Sequence, residues 1–133
     1  MRLAASEEFM PSTSLAGRSI LIVEDEPLIA LDIATILEGV GAQVVQAQTL
    51  RDALVAVEDA SLSLAILDHA LGDGDSSRLY GRLNERNIPF VLYSGYTRVD
   101  GLGGRGVHLQ KPASAAVLVS TVEGMLRSRP ISD

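Results

Sequence analysis

The sequence contains no cysteine, and lysine occurs only once, at position 111. The lack of cysteine excludes a disulfide framework, a thiol nucleophile and a zinc site built on sulfur, and it is compatible with the cytosol. The 11 basic and 17 acidic residues give a net charge of −6, and no stripe of Lys and Arg is present. This balance disfavours a nucleic-acid-binding surface, which needs clustered basic residues.

Long hydrophobic runs are missing as well. Apolar runs such as residues 20–23 are far too short to span a bilayer. Near the N-terminus, Arg2 is followed by polar residues 6–8, where a secretory signal peptide needs an apolar core. A chain of 133 residues fits one domain, which can bury a core without cross-links. We therefore expect a single soluble domain in the cytoplasm.

The apolar pattern divides the chain into three parts. Residues 1–17 lack any hydrophobic period and are rich in small and polar residues, which predicts a flexible N-terminal arm. A regular pattern follows, so the domain is predicted to span residues 18–128, with residues 129–133 as a C-terminal tail. Within the domain, short apolar runs predict five buried strands, at residues 20–23, 42–45, 64–67, 90–93 and 107–109.

Amphipathic patterns at helical spacing occupy the gaps between these strands. They predict a helix from Pro27 to just before Gly41, one over residues 50–57, one capped by Ser76 or Ser77, and one around residues 118–126. Four glycines between residues 96 and 106 disfavour a regular helix there, at about 1 kcal/mol each relative to alanine, so the fourth of five helices is expected to be short or irregular. The alternation of strands and helices predicts an α/β fold with a doubly wound parallel sheet and helices on both faces.

Polar residues follow several of the predicted strands. Glu24 and Asp25 follow the first, Asp68 the third, Ser94 the fourth and Lys111 the fifth. Ligands of such sheets bind beyond the carboxyl ends of the strands, where these side chains would converge. Three neighbouring carboxylates repel one another unless a cation intervenes, and Mg²⁺ suits carboxylate oxygens. With the cation and the lysine beside it, one carboxylate could attack a phosphoryl group and form an acyl phosphate.

At these positions the sequence resembles the receiver domains of two-component response regulators, in the stand-alone, CheY-like form. The resemblance covers about residues 18–128 and rests on the acidic pair of VEDEP, the aspartate of ILD, the serine of YSG and the KP dipeptide. The separations match too, with 43 residues from Asp25 to Asp68 and 43 from Asp68 to Lys111. The resemblance implies a flavodoxin-like sheet with strand order 2-1-3-4-5.

The resemblance also implies roles for individual residues. Asp68 would be the phosphoacceptor, Asp25 a direct Mg²⁺ ligand, Glu24 a ligand through water and the backbone carbonyl of Ala70 a further ligand. In the same family, a hydroxyl and a lysine bind the phosphoryl oxygens and carry the conformational switch. Those positions are Ser94 and Lys111 in this sequence.

A narrower resemblance concerns PFVLYSGY, residues 89–96, which is similar to the P-F-x-F-A-T-G-Y signature of the "FAT GUY" receiver subfamily. The LGDGDS loop after Asp68 and the glycine-rich stretch before residue 106 agree with that subfamily. The sequence departs from the signature at three positions, which are Leu92, Tyr93 and Ser94.

The usual aromatic switch residue of receivers is missing. Most receivers place Tyr or Phe three residues before the lysine, and this position is His108 here. Two alternatives follow. Either His108 serves as a substitute, or the signal leaves through the loop from Tyr96 to Gly106.

The receiver interpretation predicts a protein that takes phosphate from a sensor histidine kinase or a histidine phosphotransfer protein. It is then a signalling domain rather than an enzyme. Since no output domain follows Asp133, we expect it to signal through protein–protein contact or to act as a phosphate sink. The dephosphorylation rate of receivers depends on positions that are Ala70 and Tyr96 here, and alanine cannot position an attacking water.

Other interpretations of the same residues meet obstacles in the sequence. A Mg²⁺-dependent phosphohydrolase with Asp68 as nucleophile would need a second aspartate two residues later, where Ala70 stands. A phosphorylation-independent binding module would not need the acidic pair. A calcium loop counted from Asp73 would put Arg78 where glycine is required and Asn84 where the bidentate glutamate belongs. Simpler local roles also exist, such as helix-dipole acids, a strand-end cap, a strand stop at Lys111 and an exposed loop residue at His69.

Overall fold

The computed structural model describes residues 13–68, 70–71, 74–75, 77–95 and 103–127. The strands are β1 (Ser19–Val23), β2 (Gln43–Ala47), β3 (Leu64–Leu67), β4 (Ala70–Leu71), β5 (Gly74–Asp75), β6 (Phe90–Ser94) and β7 (Gly106–Gln110). The helices are α1 (Pro27–Glu38), α2 (Leu50–Ala56), α3 (Ser77–Glu85) and α4 (Ala115–Arg127). Each of the five predicted strands and the four regular helices is found close to its expected position.

Five strands form one parallel sheet in the order β2-β1-β3-β6-β7. When the short β4 and β5 are left out, this is the order 2-1-3-4-5, so the predicted doubly wound, flavodoxin-like fold is confirmed. Val23 lies opposite Ala47 on one side and Leu67 on the other. The carboxyl ends of the two central strands are therefore level with each other.

The central strands β1 and β3 are apolar except for Ser19 at the start of β1, because both faces of the sheet are covered. All residues of β1 and β3 are buried, and their side chains alternate between two core layers. One layer, against α2 and α3, contains Leu21, Val23, Ala65, Leu67, Phe90 and Leu92. The other, against α1 and α4, contains Ile20, Ile22, Leu64, Ile66 and Val91.

Local sequence signals explain where the helices begin. Pro27 occupies the first turn of α1, where its missing N–H costs nothing. Thr49 caps α2, because its hydroxyl accepts a hydrogen bond of 3.0 Å from the N–H of Asp52. Among the described helices, none combines the length and the apolar character that crossing a bilayer requires.

The last five residues of the predicted N-terminal arm lie within the described part of the chain. Residues 13–17 make a turn in which Leu15 is 1% exposed and joins the core layer beneath α1 and α4. The N–H of Leu15 donates to the carbonyl of Val40 at 2.9 Å. One apolar residue in a polar stretch was enough to anchor this turn. The rest of the predicted arm, residues 1–12, and the tail from residue 128 lie outside the described residues.

A short hairpin after β3 was not predicted. β4 pairs with β5 in antiparallel fashion, with Ala70 opposite Asp75 and Leu71 opposite Gly74. The two residues between the strands are Gly-Asp, a dipeptide common in tight hairpin turns. The loop that looked like a possible calcium site therefore contains a β-hairpin.

The predicted irregular helix falls mostly on residues 96–102, which lie outside the described residues, so it stays a prediction. The next described residues are Gly103 and Gly104. Their φ angles of +63° and +48° favour glycine. The N–H of Arg105 donates to the side-chain oxygen of Asn84 at 3.3 Å. The C-terminal part of α3 therefore holds the entry to β7.

Candidate functional site

The three predicted carboxylates meet at the carboxyl edge of the sheet. Glu24 and Asp25 follow β1, and Asp68 follows β3. The sheet hydrogen bonding continues past the strands, since the N–H of Asp68 donates to Val23 at 2.9 Å and that of Glu24 donates to Ala47 at 3.0 Å. One carboxylate oxygen from each of the three acids lies within 4.8 Å of the other two.

The three acids differ in their exposure. Glu24 is 3% exposed, the side chain of Asp68 is 20% exposed and Asp25 is exposed. Burial raises the pKa of Glu24 above its usual value, and the charge of Asp68 raises it further. The N–H of Glu26, which donates to Glu24 at 3.1 Å, and the ammonium of Lys111 both act to lower this pKa. The net shift is upward, with burial as its largest cause.

Lys111 reaches the acidic cluster from the end of β7. Its backbone N–H donates to the carbonyl of Ser94 at 2.7 Å, which ties the ends of β6 and β7 together. Its ammonium nitrogen lies 3.6 Å from Glu24 Oε1 and 4.0 Å from Asp68 Oδ1. The structure therefore brings together four of the predicted site residues, and it places Ser94, which is 2% exposed, next to the lysine backbone.

The donor set fits a hard divalent cation. Every candidate ligand among Glu24, Asp25 and Asp68 is a carboxylate oxygen, with no nitrogen or sulfur donor in the group. Oxygen ligands of this kind suit Mg²⁺, which keeps several waters and needs few protein ligands. A cation bound there would add positive charge beside the buried Glu24 carboxylate and favour its ionised form.

The remaining predicted residues stand apart from this cluster. Ala70 begins β4, two positions after Asp68, and the role of its carbonyl stays a prediction. Tyr96 lies outside the described residues. His108 lies in β7 opposite Leu92, and its Nε2 atom is buried without a hydrogen-bond partner among the described residues.

One residue in contact with the site was not predicted. The ammonium of Lys111 lies 5.3 Å from the centre of the Tyr93 ring, a distance typical of cation–π contacts. The phenolic oxygen of Tyr93 accepts a hydrogen bond of 3.1 Å from the N–H of Ala113. The sequence did contain a hint of this contact, because Tyr93 stands where the subfamily signature has alanine.

Comparison with known proteins agrees with this geometry. The chain is 32% identical over 120 residues to the transcriptional regulatory protein VxrB of Vibrio cholerae, which covers 86% of this chain and 48% of that protein. It spans about half the length or less of the curated relatives it matches.

Solved structures show the same fold. A CheY-like receiver domain protein of Methanospirillum hungatei superposes with a TM-score of 0.75 at 25% identity, covering 83% of this chain and 94% of that one. The response regulator protein TrrA of Thermotoga maritima, solved in complex with Mg²⁺–BeF, also gives a TM-score of 0.75, at 22% identity, with 82% and 99% covered.

A match to a protein-family profile covers most of the chain. The profile of the response regulator receiver domain matches residues 20–123, which include the acidic edge and the five strands of the parallel sheet except for the first residue of β1. The chain therefore belongs to the family of response regulator receiver domains.

Proposed function

We propose that this domain accepts a phosphoryl group on Asp68 from a sensor histidine kinase or a histidine phosphotransfer protein, in a reaction that depends on Mg²⁺. The observation that carries the proposal is the position of Asp68. Its carboxylate lies beside an acidic pair suited to a cation, and the ammonium of Lys111 is 4.0 Å away. It is partly exposed, with 20% of its side chain accessible, so an incoming phosphoryl group can reach it.

In the proposed reaction, a carboxylate oxygen of Asp68 forms a bond to phosphorus while the bond from phosphorus to the donor nitrogen breaks. The 4.0 Å separation between Lys111 Nζ and Asp68 Oδ1 is too long for a hydrogen bond, which leaves room for a phosphoryl oxygen to enter. The ammonium would then bind that oxygen and offset its charge. The hydroxyl of Ser94 would donate a hydrogen bond to another phosphoryl oxygen.

Glu24, Asp25 and Asp68 would hold the cation, with Asp25 as a direct ligand, Glu24 acting through water and the carbonyl of Ala70 completing the protein ligands. When bound, Mg²⁺ supplies positive charge that offsets the charge of the phosphoryl oxygens. The buried Glu24 fixes the inner wall of this site, because its Oε2 accepts the N–H of Glu26.

We propose that the conformational switch begins at Ser94. Its signal then passes either to His108 or to the loop from Tyr96 to Gly106. The Nε2 of His108, which is buried and has no hydrogen-bond partner within the described part of the chain, supports the first route, since a side chain with an unmet hydrogen bond gains by moving to a partner. The sequence PFVLYSGY supports placing the domain in the FAT GUY subfamily, with the second route as its consequence. The output is proposed to be a change in protein–protein contact or removal of phosphate from a donor.

The first experiment adds Mg²⁺ and beryllofluoride, a phosphoryl mimic, and records amide NMR spectra. We expect shifts at Asp68, Ser94, Lys111 and the glycine-rich loop in the native protein, none of them in Asp68→Ala, and native behaviour in Glu38→Gln, which changes an exposed acid at the far end of α1. A native protein that does not respond to Mg²⁺ and beryllofluoride would contradict the proposal.

A second experiment separates a phosphoacceptor from a phosphohydrolase. Incubation with excess acetyl phosphate and Mg²⁺ should label about one phosphoryl group per chain. Since Ala70 cannot position an attacking water, the label should not decay within seconds. Many rapid turnovers per chain would instead support the hydrolase.

A further inference from the structure

Tyr93 contacts two parts of the segment that carries the only lysine of the sequence. Its ring lies under the ammonium of Lys111, with 5.3 Å between the nitrogen and the ring centre. Its hydroxyl accepts the N–H of Ala113, two residues further on, at 3.1 Å. The lysine is therefore held at its charged tip, and the turn that follows it is held at its backbone.

The position of Tyr93 in β6 determines which neighbours it has. Adjacent residues of a strand project to opposite faces of the sheet. Tyr93 packs with the core layer beneath α1 and α4, whereas Leu92 belongs to the layer beneath α2 and α3. By the same alternation, Ser94 belongs to the opposite face from Tyr93, and its backbone carbonyl accepts the N–H of Lys111.

Besides the ring contact, the ammonium has two contacts with carboxylates. Lys111 Nζ is 3.6 Å from Glu24 and 4.0 Å from Asp68, and both distances exceed that of a hydrogen bond. Its side chain is 26% exposed, so the ring contact takes place in a partly desolvated position where cation–π attraction is strengthened. The ring can therefore limit the positions that the flexible lysine side chain samples.

We propose that Tyr93 is a positioning residue for Lys111: its ring holds the ammonium facing the acidic cluster before a phosphoryl group arrives. The proposal rests on the proposed function, since it assigns the lysine to phosphoryl binding. The hydroxyl plays a separate part, because it fixes the Ala113 turn. Removing the ring should slow phosphorylation, whereas removing only the hydroxyl should not.

The single lysine allows a direct test in the free protein. Lysine labelled with ¹³C at the ε carbon gives the signal of one side chain, that of Lys111. A ring in contact with the ammonium shifts the attached methylene protons upfield. We expect this upfield shift in the native protein and in Tyr93→Phe, and its loss in Tyr93→Leu. In Tyr93→Phe, the amide signal of Ala113 should move, because its acceptor is gone.

Phosphorylation by acetyl phosphate in the presence of Mg²⁺ provides the second measurement. Tyr93→Leu should react about three- to fivefold more slowly than the native protein, the size expected for an exposed to partly buried cation–π contact. Tyr93→Phe should restore the native rate. Tyr80→Phe serves as the matched control, because Tyr80 stacks on Phe90 in the opposite core layer.

The outcomes are separable from those of the proposed function. An unshifted methylene signal in the native protein overturns the positioning role, even if beryllofluoride binds and even if Tyr93→Leu does not fold. A native rate in Tyr93→Leu, or an equal loss of rate in Tyr93→Phe and Tyr93→Leu, also overturns it. A third outcome is that the native protein shows the upfield methylene signal without any response to beryllofluoride. That result would confirm the contact between Tyr93 and Lys111 and reject the phosphoacceptor function.

Discussion

The ammonium of Lys111 lies 3.6 Å from the carboxylate of Glu24, a residue that is only 3% exposed. This pair joins the end of β7 to the end of β1 across the two strands that lie between them, β3 and β6. The ammonium of Lys111 acts to lower the pKa of Glu24, but burial is the largest influence on it and the net shift is upward.

Replacing Glu24 with glutamine should weaken Mg²⁺ binding by about tenfold or more, as expected when a charged group that supports a metal site is lost. Titration with Mg²⁺, followed by the amide signals of Asp25 and Asp68, measures the dissociation constant. The control is Glu38→Gln, at the far end of α1, which should bind as the native protein does. Equal affinities for all three proteins would exclude Glu24 from the site.

Leu15→Ala should lower the free energy of unfolding by about 2–5 kcal/mol, the usual cost of truncating a buried leucine. Leu15 is 1% exposed and packs in the core layer beneath α1 and α4. Urea denaturation measures the change. Leu28→Ala is the control, because Leu28 is 81% exposed, and its effect should stay within about 0.5 kcal/mol. Similar values for the two variants would show that the turn at residues 13–17 contributes nothing.

Gly104→Ala should destabilise the protein by more than about 1 kcal/mol, because alanine resists the positive φ angle found there. An added Cβ would also meet the side-chain oxygen of Asn84. The same substitution in an Asn84→Ala background loses that contact, so its cost should fall. A double-mutant cycle by urea denaturation separates the two contributions. A cost that is unchanged in this background would leave the backbone angle as the whole effect.

The ion pair between Glu58 and Arg82 should make stability depend on pH in the acid range. Arg82 Nε and Nη2 donate to the two oxygens of Glu58 at 2.6 and 2.7 Å, and this lowers the pKa of Glu58 from its usual value of 4.5. A carboxyl with a lowered pKa in the folded state stabilises the protein above its unfolded pKa, and the contribution is lost as pH falls through the folded value.

The difference in stability between the native protein and Glu58→Gln should therefore shrink as pH drops below about 4.5. Added salt should reduce it too, because both side chains are substantially exposed. Urea denaturation at several pH values measures this difference, with Glu38→Gln as the control. A difference that stays constant from neutral to acid pH would contradict the assignment.

How far the sequence predicts this fold depends on how completely each element is buried. β3 was predicted at its observed residues, because a strand covered on both faces is a continuous apolar run. β2 was predicted one residue early and two residues short, since most of it is exposed and its polar residues Gln43 and Gln46 interrupt the apolar run. The two-residue strands β4 and β5 are too short to carry any periodic pattern.

In the site, the positions set by the path of the backbone could be predicted, whereas the contacts between side chains could not. The meeting of Glu24, Asp25 and Asp68 follows from the strand order alone, because parallel strands end at one edge. The contact between Tyr93 and Lys111 depends on side chains crossing from one strand end to the next, and no spacing along the sequence specifies it. Likewise, the burial of Leu15 depends on a gap beneath α1 that only the folded chain forms.

Because lysine occurs once in the sequence, the only side-chain amine is the one beside Asp68. Acetylation of this single group would remove the charge next to the acidic cluster. The same applies at the bench, since amine-reactive dyes, cross-linkers and surface coupling reagents would modify Lys111 and, elsewhere, only the chain's amino terminus. Attachment through a terminal tag would leave the amine of Lys111 intact for interaction measurements.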